Sequence, residues 1–326
     1  MSSPPRFGRL ITAIATAFDE AGGVDLEATA RIAAHVVDTG SDGVVVSGTT
    51  GEAPTTTVPE DGEILAAVRE AVGDRASVIA GVGTNSTAHS VEIAEQAARI
   101  GADGLLVVTP YYNKPSQNGI LGHIRTVAAV SDIPVMLYDV PSRTGSSIAL
   151  DTYRAALELD TVVAVKDATG NPAQAARLTA LGYEVYCGDD ALTLGYLAYG
   201  AVGLVSVVAH AAGQPLRTMI DAFLAGEHAV ALDAHTRLLP AFDAIMGVPN
   251  YGATTAKAAL QLLGVLGDRR VRQPLAELDD TEVEALRAGL VAAGLLAPAG
   301  EQATGVDTRR DLDPWWGTYR GLAADM

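Results

Sequence analysis

Short apolar runs rich in β-branched residues alternate along the chain with longer stretches in which apolar positions recur every three or four residues. The first pattern predicts strands and the second predicts amphipathic helices. Their alternation predicts βαβ units around a parallel sheet. Eight strands are expected: Leu10–Ala15, Gly43–Val46, Val78–Gly81, Gly104–Val108, Val135–Tyr138, Val162–Lys166, Val185–Tyr186 and Gly203–Val207. Several are apolar throughout, which suits strands covered on both faces.

The helices between them have readable ends. Asp25 can cap a helix whose buried stripe includes Ile32, Ala33, Val36 and Val37, with Gly40 just beyond it. Thr57 and Glu60 have the spacing of a capping box. Asn171-Pro172 offers a cap and a first-turn proline, and Gly182 closes that helix. Leu216, Met219, Ile220 and Phe223 fall on one helical face.

Eight such units occupy residues 8–226, and no GxGxxG follows the first strand, which favours a closed α/β architecture, the (β/α)8 TIM barrel, over an open doubly wound sheet. Further helices near 227–246, 252–264 and 279–292 make a C-terminal helical extension over 227–297. The segment 298–326, rich in Gly, Asp and Arg with a Trp315-Trp316 pair, is expected to be a loosely ordered tail docked on a neighbouring subunit.

Composition narrows the function classes. At 326 residues and 48% hydrophobic, the chain can bury a sizeable core. A formal net charge of −17 leaves no basic face for nucleic acid. No apolar stretch approaches the roughly 18 residues of a membrane span, and the N-terminus lacks the pattern of a signal peptide. A cytoplasmic protein without a membrane partner is expected. Cys187 is the only cysteine, so neither an internal disulfide nor a CxxC metal site is available. Three lysines, Lys114, Lys166 and Lys257, stand among 22 Lys and Arg. Arginine cannot lose its proton near neutral pH, so each lysine is a candidate for work that arginine cannot do.

In this fold the chemistry sits at the C-terminal ends of the strands. Lys166 ends an apolar strand at the mouth of the barrel, where desolvation lowers an amine's pKa and frees it to attack a carbonyl. The alternative is a side chain snorkelling into water. Gly48-Thr49-Thr50-Gly51 offers closely spaced backbone N–H groups and two hydroxyls for a small carboxylate, or is merely a turn. Tyr138 leaves the adjoining strand and could carry protons, or be ordinary core. Arg143 could clamp a second carboxylate, or make a surface salt bridge. The six histidines are scattered without HxH or HExxH, and no nucleophile elbow or P-loop is present. Carbonyl chemistry through an amine is what remains.

The segments GTTGE (48–52), TPYYNKPSQ (109–117), LYDVPSRTG (137–145), VKDATGN (165–171) and GDDA (188–191) resemble the dihydrodipicolinate synthase family. That family belongs to the pyruvate-dependent class I aldolases, with N-acetylneuraminate lyase, and the resemblance spans about residues 8–295. It implies condensation of pyruvate with L-aspartate 4-semialdehyde to 4-hydroxy-tetrahydrodipicolinate, in lysine and diaminopimelate biosynthesis. Lys166 would form the imine, and Tyr138, Thr49 and Tyr112 match the proton relay, Tyr112 reaching a neighbouring subunit's site. Thr50 with the backbone of Gly48 matches the pyruvate carboxylate site, Arg143 the aldehyde's carboxylate site, and Gly188 and the Val205 backbone line the pocket. No metal or organic cofactor is implied. A homotetramer built as a dimer of dimers is.

Three departures stand out. Many members have Thr-Pro at Thr16-Ala17 and Lys-Glu-Ala at Lys166-Asp167-Ala168. Val58, Asp61 and His89 replace residues with which members bind lysine between subunits, so weak or absent inhibition by lysine is expected. A pyruvate-dependent aldolase or lyase acting on a sugar acid is the rival function. A non-catalytic barrel that binds a keto acid or a partner is the remote one.

Overall fold

The protein, described here over residues 4–298 of a computed structural model, is built on eight strands. They are β1 (Leu10–Ala13), β2 (Gly43–Val46), β3 (Ser77–Gly81), β4 (Gly104–Val108), β5 (Val135–Asp139), β6 (Val162–Asp167), β7 (Glu184–Cys187) and β8 (Gly203–Ser206). Each pairs in parallel with the next, and β8 returns to β1, closing the barrel.

The first four strands are followed by α1 (Leu26–Asp38), α2 (Val58–Val72), α3 (Thr87–Ile100) and α4 (Gln117–Ala128). After β5 come a short α5 (Pro141–Thr144) and α6 (Leu150–Ala156), then α7 (Pro172–Leu181), α8 (Thr193–Ala198) and α9 (Ala209–Leu224). The extension contains α10 (His228–Met246), α11 (Ala253–Leu262) and α12 (Asp280–Ala292).

Alternation along the strands sorts side chains into two layers. Ile11, Val45, Ile79, Leu106, Met136 and Ala164 point inward and fill the barrel. Their neighbours Leu10, Val44, Val78, Leu105, Val135 and Val165 point outward into the apolar layer beneath the helices. Phe7 closes one end, against the first residues of β2 and β4. The opposite end, where the strands finish, is left for polar residues.

Local signals place the helix starts. The Asp25 carboxylate accepts from the Ala28 N–H at 2.8 Å, and Thr57 with Glu60 forms a reciprocal capping box. Asn171 differs from expectation. It stands at the N-cap position of α7 but its side chain makes no capping bond, and Pro172 alone marks that start.

Strand ends moved for physical reasons. β1 gives out past Ala13: Ile14 still donates to Val45 O at 3.0 Å, but Ala15 donates to His210 Nε2 at 3.1 Å and Ala17 to Thr29 Oγ1 at 3.0 Å. β5 and β6 each run one residue further than expected, to Asp139 and Asp167, which pair in register.

The extension packs on the barrel rather than around a core of its own. Leu238, Phe242, Ile245, Leu260, Leu286 and Leu290 join the same apolar layer as the barrel helices. Two polar ties add to this. Lys257 on α11 forms a fully buried ion pair with Glu52, and Arg272 bonds Thr55 O at 2.8 Å and the Glu60 carboxylate. Arg272 holds the Glu60 carboxyl at about 2, well below its ordinary value, chiefly by that hydrogen bond. The expected tail with Trp315-Trp316 lies outside the described residues.

Candidate active site

Lys166 and Tyr138 are register partners at the mouth of the barrel, on β6 and β5. Each follows an inward-facing core residue by two positions, Ala164 and Met136, so strand alternation turns both side chains into the barrel. The Lys166 ammonium nitrogen lies 4.3 Å from the centre of the Tyr138 ring, and the lysine is only 5% exposed.

Burial lowers the Lys166 pKa to about 8, opposed by the charge of Asp190 and reinforced by that of Arg143. The amine is therefore neutral in a useful fraction of molecules near neutral pH. Burial also raises the Tyr138 phenol, while the Arg143 charge and a hydrogen bond with the Thr49 side chain oppose that rise. Thr49 and Arg143 thus both bear on Tyr138, and Arg143 bears on Lys166 as well.

The loop after β2 is unusual in its backbone. Ser47 and Glu52 adopt left-handed φ values of 50° and 59°, and Tyr112 and Lys114, in the loop after β4, adopt 71° and 44°. Among the described residues these are the only non-glycine positions in that region of backbone space. Such conformations carry strain and cluster where a loop is shaped for a task. The first loop is tightly packed at Gly51, where a Cβ would lie 3.1 Å from Ser47 N and 3.2 Å from Thr16 Oγ1. Among the described residues, none accepts from the backbone N–H of Thr49 or Thr50, which leaves those donors for a carboxylate. Thr50 is buried, Gly48 half-buried and Thr49 exposed.

Gly188 follows β7 and leaves room for the lysine. A Cβ on it would meet Lys166 Cε at 3.2 Å and Ala168 Cβ at 2.8 Å, so glycine is what lets Lys166 lie where it does. Val205 is buried in the barrel interior, one residue before the end of β8.

The fully buried Asp190, also in the loop after β7, takes hydrogen bonds from Ser206 Oγ and from Val207 N at 3.1 Å. It fixes the end of β8 against the end of β7. Burial raises its carboxyl to about 6 despite those bonds.

Two expected members of the site stand apart. Arg143, on α5, is exposed and stacks its guanidinium 4.6 Å from the centre of the Tyr251 ring. Tyr112 is 88% exposed, on the loop after β4. Of the residues tied to lysine binding, Asp61 is turned inward, accepting from Thr56 Oγ1 at 2.7 Å, while His89 is exposed and Val58 opens α2.

Three features of the site carry little or no signal in the sequence. The Asp167 side chain faces outward, away from the barrel mouth, and accepts from the Tyr196 hydroxyl on α8 at 3.0 Å. Glu52 closes the GTTGE motif, yet its carboxylate binds Lys257 and the Arg272 N–H instead of facing the barrel. The signal for that tie is Ala256-Lys257-Ala258-Ala259, a lone charge in an apolar helix that demands a buried counter-charge. Tyr251 had no local signal at all.

A buried amine that is neutral in part of the molecules, a phenol and free backbone donors around one mouth suit imine chemistry on a small keto acid. Comparison with known proteins points the same way. Residues 6–293 match the model of the dihydrodipicolinate synthetase family. A 4-hydroxy-tetrahydrodipicolinate synthase from Kineococcus radiotolerans is 50% identical, covering 90% of this chain and 95% of its own. One from Acidothermus cellulolyticus is 47% identical, covering 94% and 98%. Among solved structures, the dihydrodipicolinate synthase of Cyanidioschyzon merolae with lysine bound superposes with a TM-score of 0.85 at 40% identity, over 89% of this chain and 99% of that one. The chain belongs to the dihydrodipicolinate synthetase family.

Proposed function

We propose that the protein is a lyase that condenses pyruvate with L-aspartate 4-semialdehyde through an imine on Lys166, giving 4-hydroxy-tetrahydrodipicolinate for lysine and diaminopimelate biosynthesis. The observation that carries this reading is the nearly fully buried Lys166, with its pKa lowered to about 8, in contact with Tyr138 at the barrel mouth. Family membership and the names of the relatives support the same substrates.

The chemistry follows from charge. The neutral Lys166 amine adds to the ketone carbon of pyruvate, whose carboxylate rests on the Thr49 and Thr50 N–H groups and the Thr50 hydroxyl. Loss of water gives an iminium. Its positive nitrogen acidifies the methyl group, which loses a proton to give an enamine. The enamine carbon attacks the aldehyde, forming the carbon–carbon bond, and the aldehyde oxygen takes a proton. Arg143 holds the carboxylate of this second substrate as a planar, two-pronged donor. The substrate amine then attacks C2, the ring closes, and the bond from C2 to Lys166 breaks, returning the free lysine. Tyr138 and Thr49 move the protons, joined by Tyr112 of a second copy, and no metal or organic cofactor enters any step.

The exposure of Tyr112 on a strained loop supports its contribution to a neighbour's site. A homotetramer built as a dimer of dimers is the assembly proposed. Among the described residues no helix is long and apolar enough to cross a membrane, which suits a cytoplasmic biosynthetic enzyme.

The test is direct. Incubation with pyruvate and borohydride should add one reduced pyruvyl group at Lys166, seen by mass spectrometry and absent from Lys166→Met. Addition of the semialdehyde, coupled to the reductase that consumes the product, should then show turnover. No adduct sinks the imine mechanism. An adduct without turnover moves the second substrate to a sugar acid or another aldehyde.

A further inference from the structure

Arg143 is a candidate site residue whose side chain contacts a part of the chain outside the barrel. It projects from a helix of four residues, and among the described residues no carboxylate forms a salt bridge with it. A long, exposed arginine of that kind ordinarily samples many rotamers, and immobilising it on binding a ligand weakens the binding. Here the guanidinium lies over the ring of Tyr251, 4.6 Å from its centre.

A ring beneath the guanidinium carbon restrains the cation, and among the described residues no carboxylate takes up its N–H edge. That edge is the part that meets a carboxylate in two parallel hydrogen bonds. An acidic partner would have occupied the same edge. An aromatic partner holds the cation without competing for its donors.

Tyr251 is itself held. Its neighbour Asn250 donates to Ala276 O at 3.1 Å. On the other side, Gly252 has a φ of 99° and its N–H donates to Thr255 Oγ1 at 3.0 Å, starting α11. Gly252 also runs close under the arginine, since a Cβ on it would lie 3.9 Å from an Arg143 terminal nitrogen. Further along α11, Lys257 is locked to Glu52, the last residue of the GTTGE loop. One helix of the extension therefore braces the loop that cradles pyruvate and leads directly from the ring beneath Arg143.

We infer that Tyr251 is a positioning residue for Arg143, and that through it the C-terminal extension sets the enzyme's affinity for the carboxylate of the aldehyde substrate. The inference rests on the proposed function, because it assigns Arg143 to the second substrate. It also separates the two substrates energetically: pyruvate binding does not use the stack, and aldehyde binding does.

The test compares Tyr251→Phe, Tyr251→Leu and Tyr251→Ala with the unaltered enzyme. Phe keeps the aromatic face and should retain the KM for L-aspartate 4-semialdehyde within about twofold. Leu fills the space without a π face, and Leu and Ala should raise that KM roughly tenfold. The KM for pyruvate and the yield of borohydride-trapped imine should stay unchanged in all three, which a general loss of structure would not permit. A Leu variant matching the unaltered enzyme overturns the inference, as does a Phe variant as impaired as Leu. A rise in the pyruvate KM, or loss of the trapped adduct, overturns it too, since Tyr251 would then support the barrel at large. If Ala does not fold, the comparison of Leu with Phe decides alone. Failure of the proposed function looks different: the unaltered enzyme would form the adduct and not turn over the semialdehyde.

Discussion

Replacing Asp139 with Asn should stabilise this protein at pH 8 and leave its stability unchanged at pH 4. Asp139 is fully buried. Its Oδ2 accepts from Ile148 N at 3.1 Å and from the Tyr153 hydroxyl at 3.0 Å, while its Oδ1 has no partner. Beside it in register, the equally buried Asp167 accepts from Thr169 N, Thr169 Oγ1 and the Tyr196 hydroxyl through Oδ1, and its Oδ2 has no partner. No described cation pairs with either. Burial, followed by the charge of Asp167, raises the Asp139 carboxyl from 3.8 to about 6, against the two hydrogen bonds it accepts.

A folded pKa above the unfolded one means that the native state holds the proton more tightly. The favourable contribution is full below pH 4 and is lost as pH rises through 6. The shift corresponds to about 3 kcal/mol against the ionised native state at pH 8. Asparagine keeps an oxygen for Ile148 and Tyr153, places a donor where the orphan oxygen stands, and does not titrate. The expected gain is about 2–3 kcal/mol at pH 8, or a rise in Tm of roughly 3–5 °C, shrinking to nothing by pH 4. Thermal melts of both proteins at fixed concentration from pH 4 to 8 measure it. A Tm difference that does not change with pH, or a destabilised Asn variant at pH 8, would show that Asp139 is ionised and satisfied, and would refute the reasoning.

Other consequences are as accessible. The initial rate of borohydride-trapped imine formation should rise with pH through about 8 and level off above it, since only the neutral Lys166 reacts; continued rise past pH 10 would mean an ordinary lysine. Gly188→Ala pushes a methyl group within 3.2 Å of Lys166 Cε, and trapping should slow by roughly tenfold or more while the fold survives in circular dichroism. Lys257→Met leaves Glu52 buried without its counter-charge and should lower the unfolding free energy by about 3–5 kcal/mol, with Glu52→Gln added to it restoring part of the loss in a denaturant titration.

What could be read from the sequence was whatever depends on near neighbours or on burial of whole runs. A capping box needs only Thr57 and Glu60, three residues apart, and it formed. The strands β2 and β4 ended where their apolar runs ended. Lys166 was conspicuous because a charge closing an apolar strand is itself a physical anomaly. Distant partners were not legible. Nothing near Ala15 announces that its N–H will leave the sheet for His210, 195 positions away, and β1 was drawn too long as a result. Glu52 closes a motif that the family resemblance assigns to the site, while its partner Lys257 lies 205 positions on. The contact of Tyr251 with Arg143 belongs to the same class, joining α5 of the barrel to the segment before α11 of the extension.

The pairing of Tyr138-Asp139 with Lys166-Asp167 shows how chemistry and scaffold are separated within one backbone. The two strands are in register, and side chains alternate, so one residue of each pair turns into the barrel and the next turns out beneath the helices. The inward pair carries the amine and the phenol. The outward pair puts two acids side by side with one unsatisfied oxygen each, an arrangement that disfavours folding at the pH where a neutral Lys166 is most abundant. The two effects therefore run in opposite directions as pH rises: the nucleophile gains while the scaffold beneath it loosens. Relieving the outward strain at Asp139 should widen the alkaline range over which the enzyme stays folded without changing the pH at which Lys166 becomes reactive. A shift in that reactive pKa on Asp139→Asn would mean that the two faces of the sheet are coupled after all, and that alternation alone does not insulate the site.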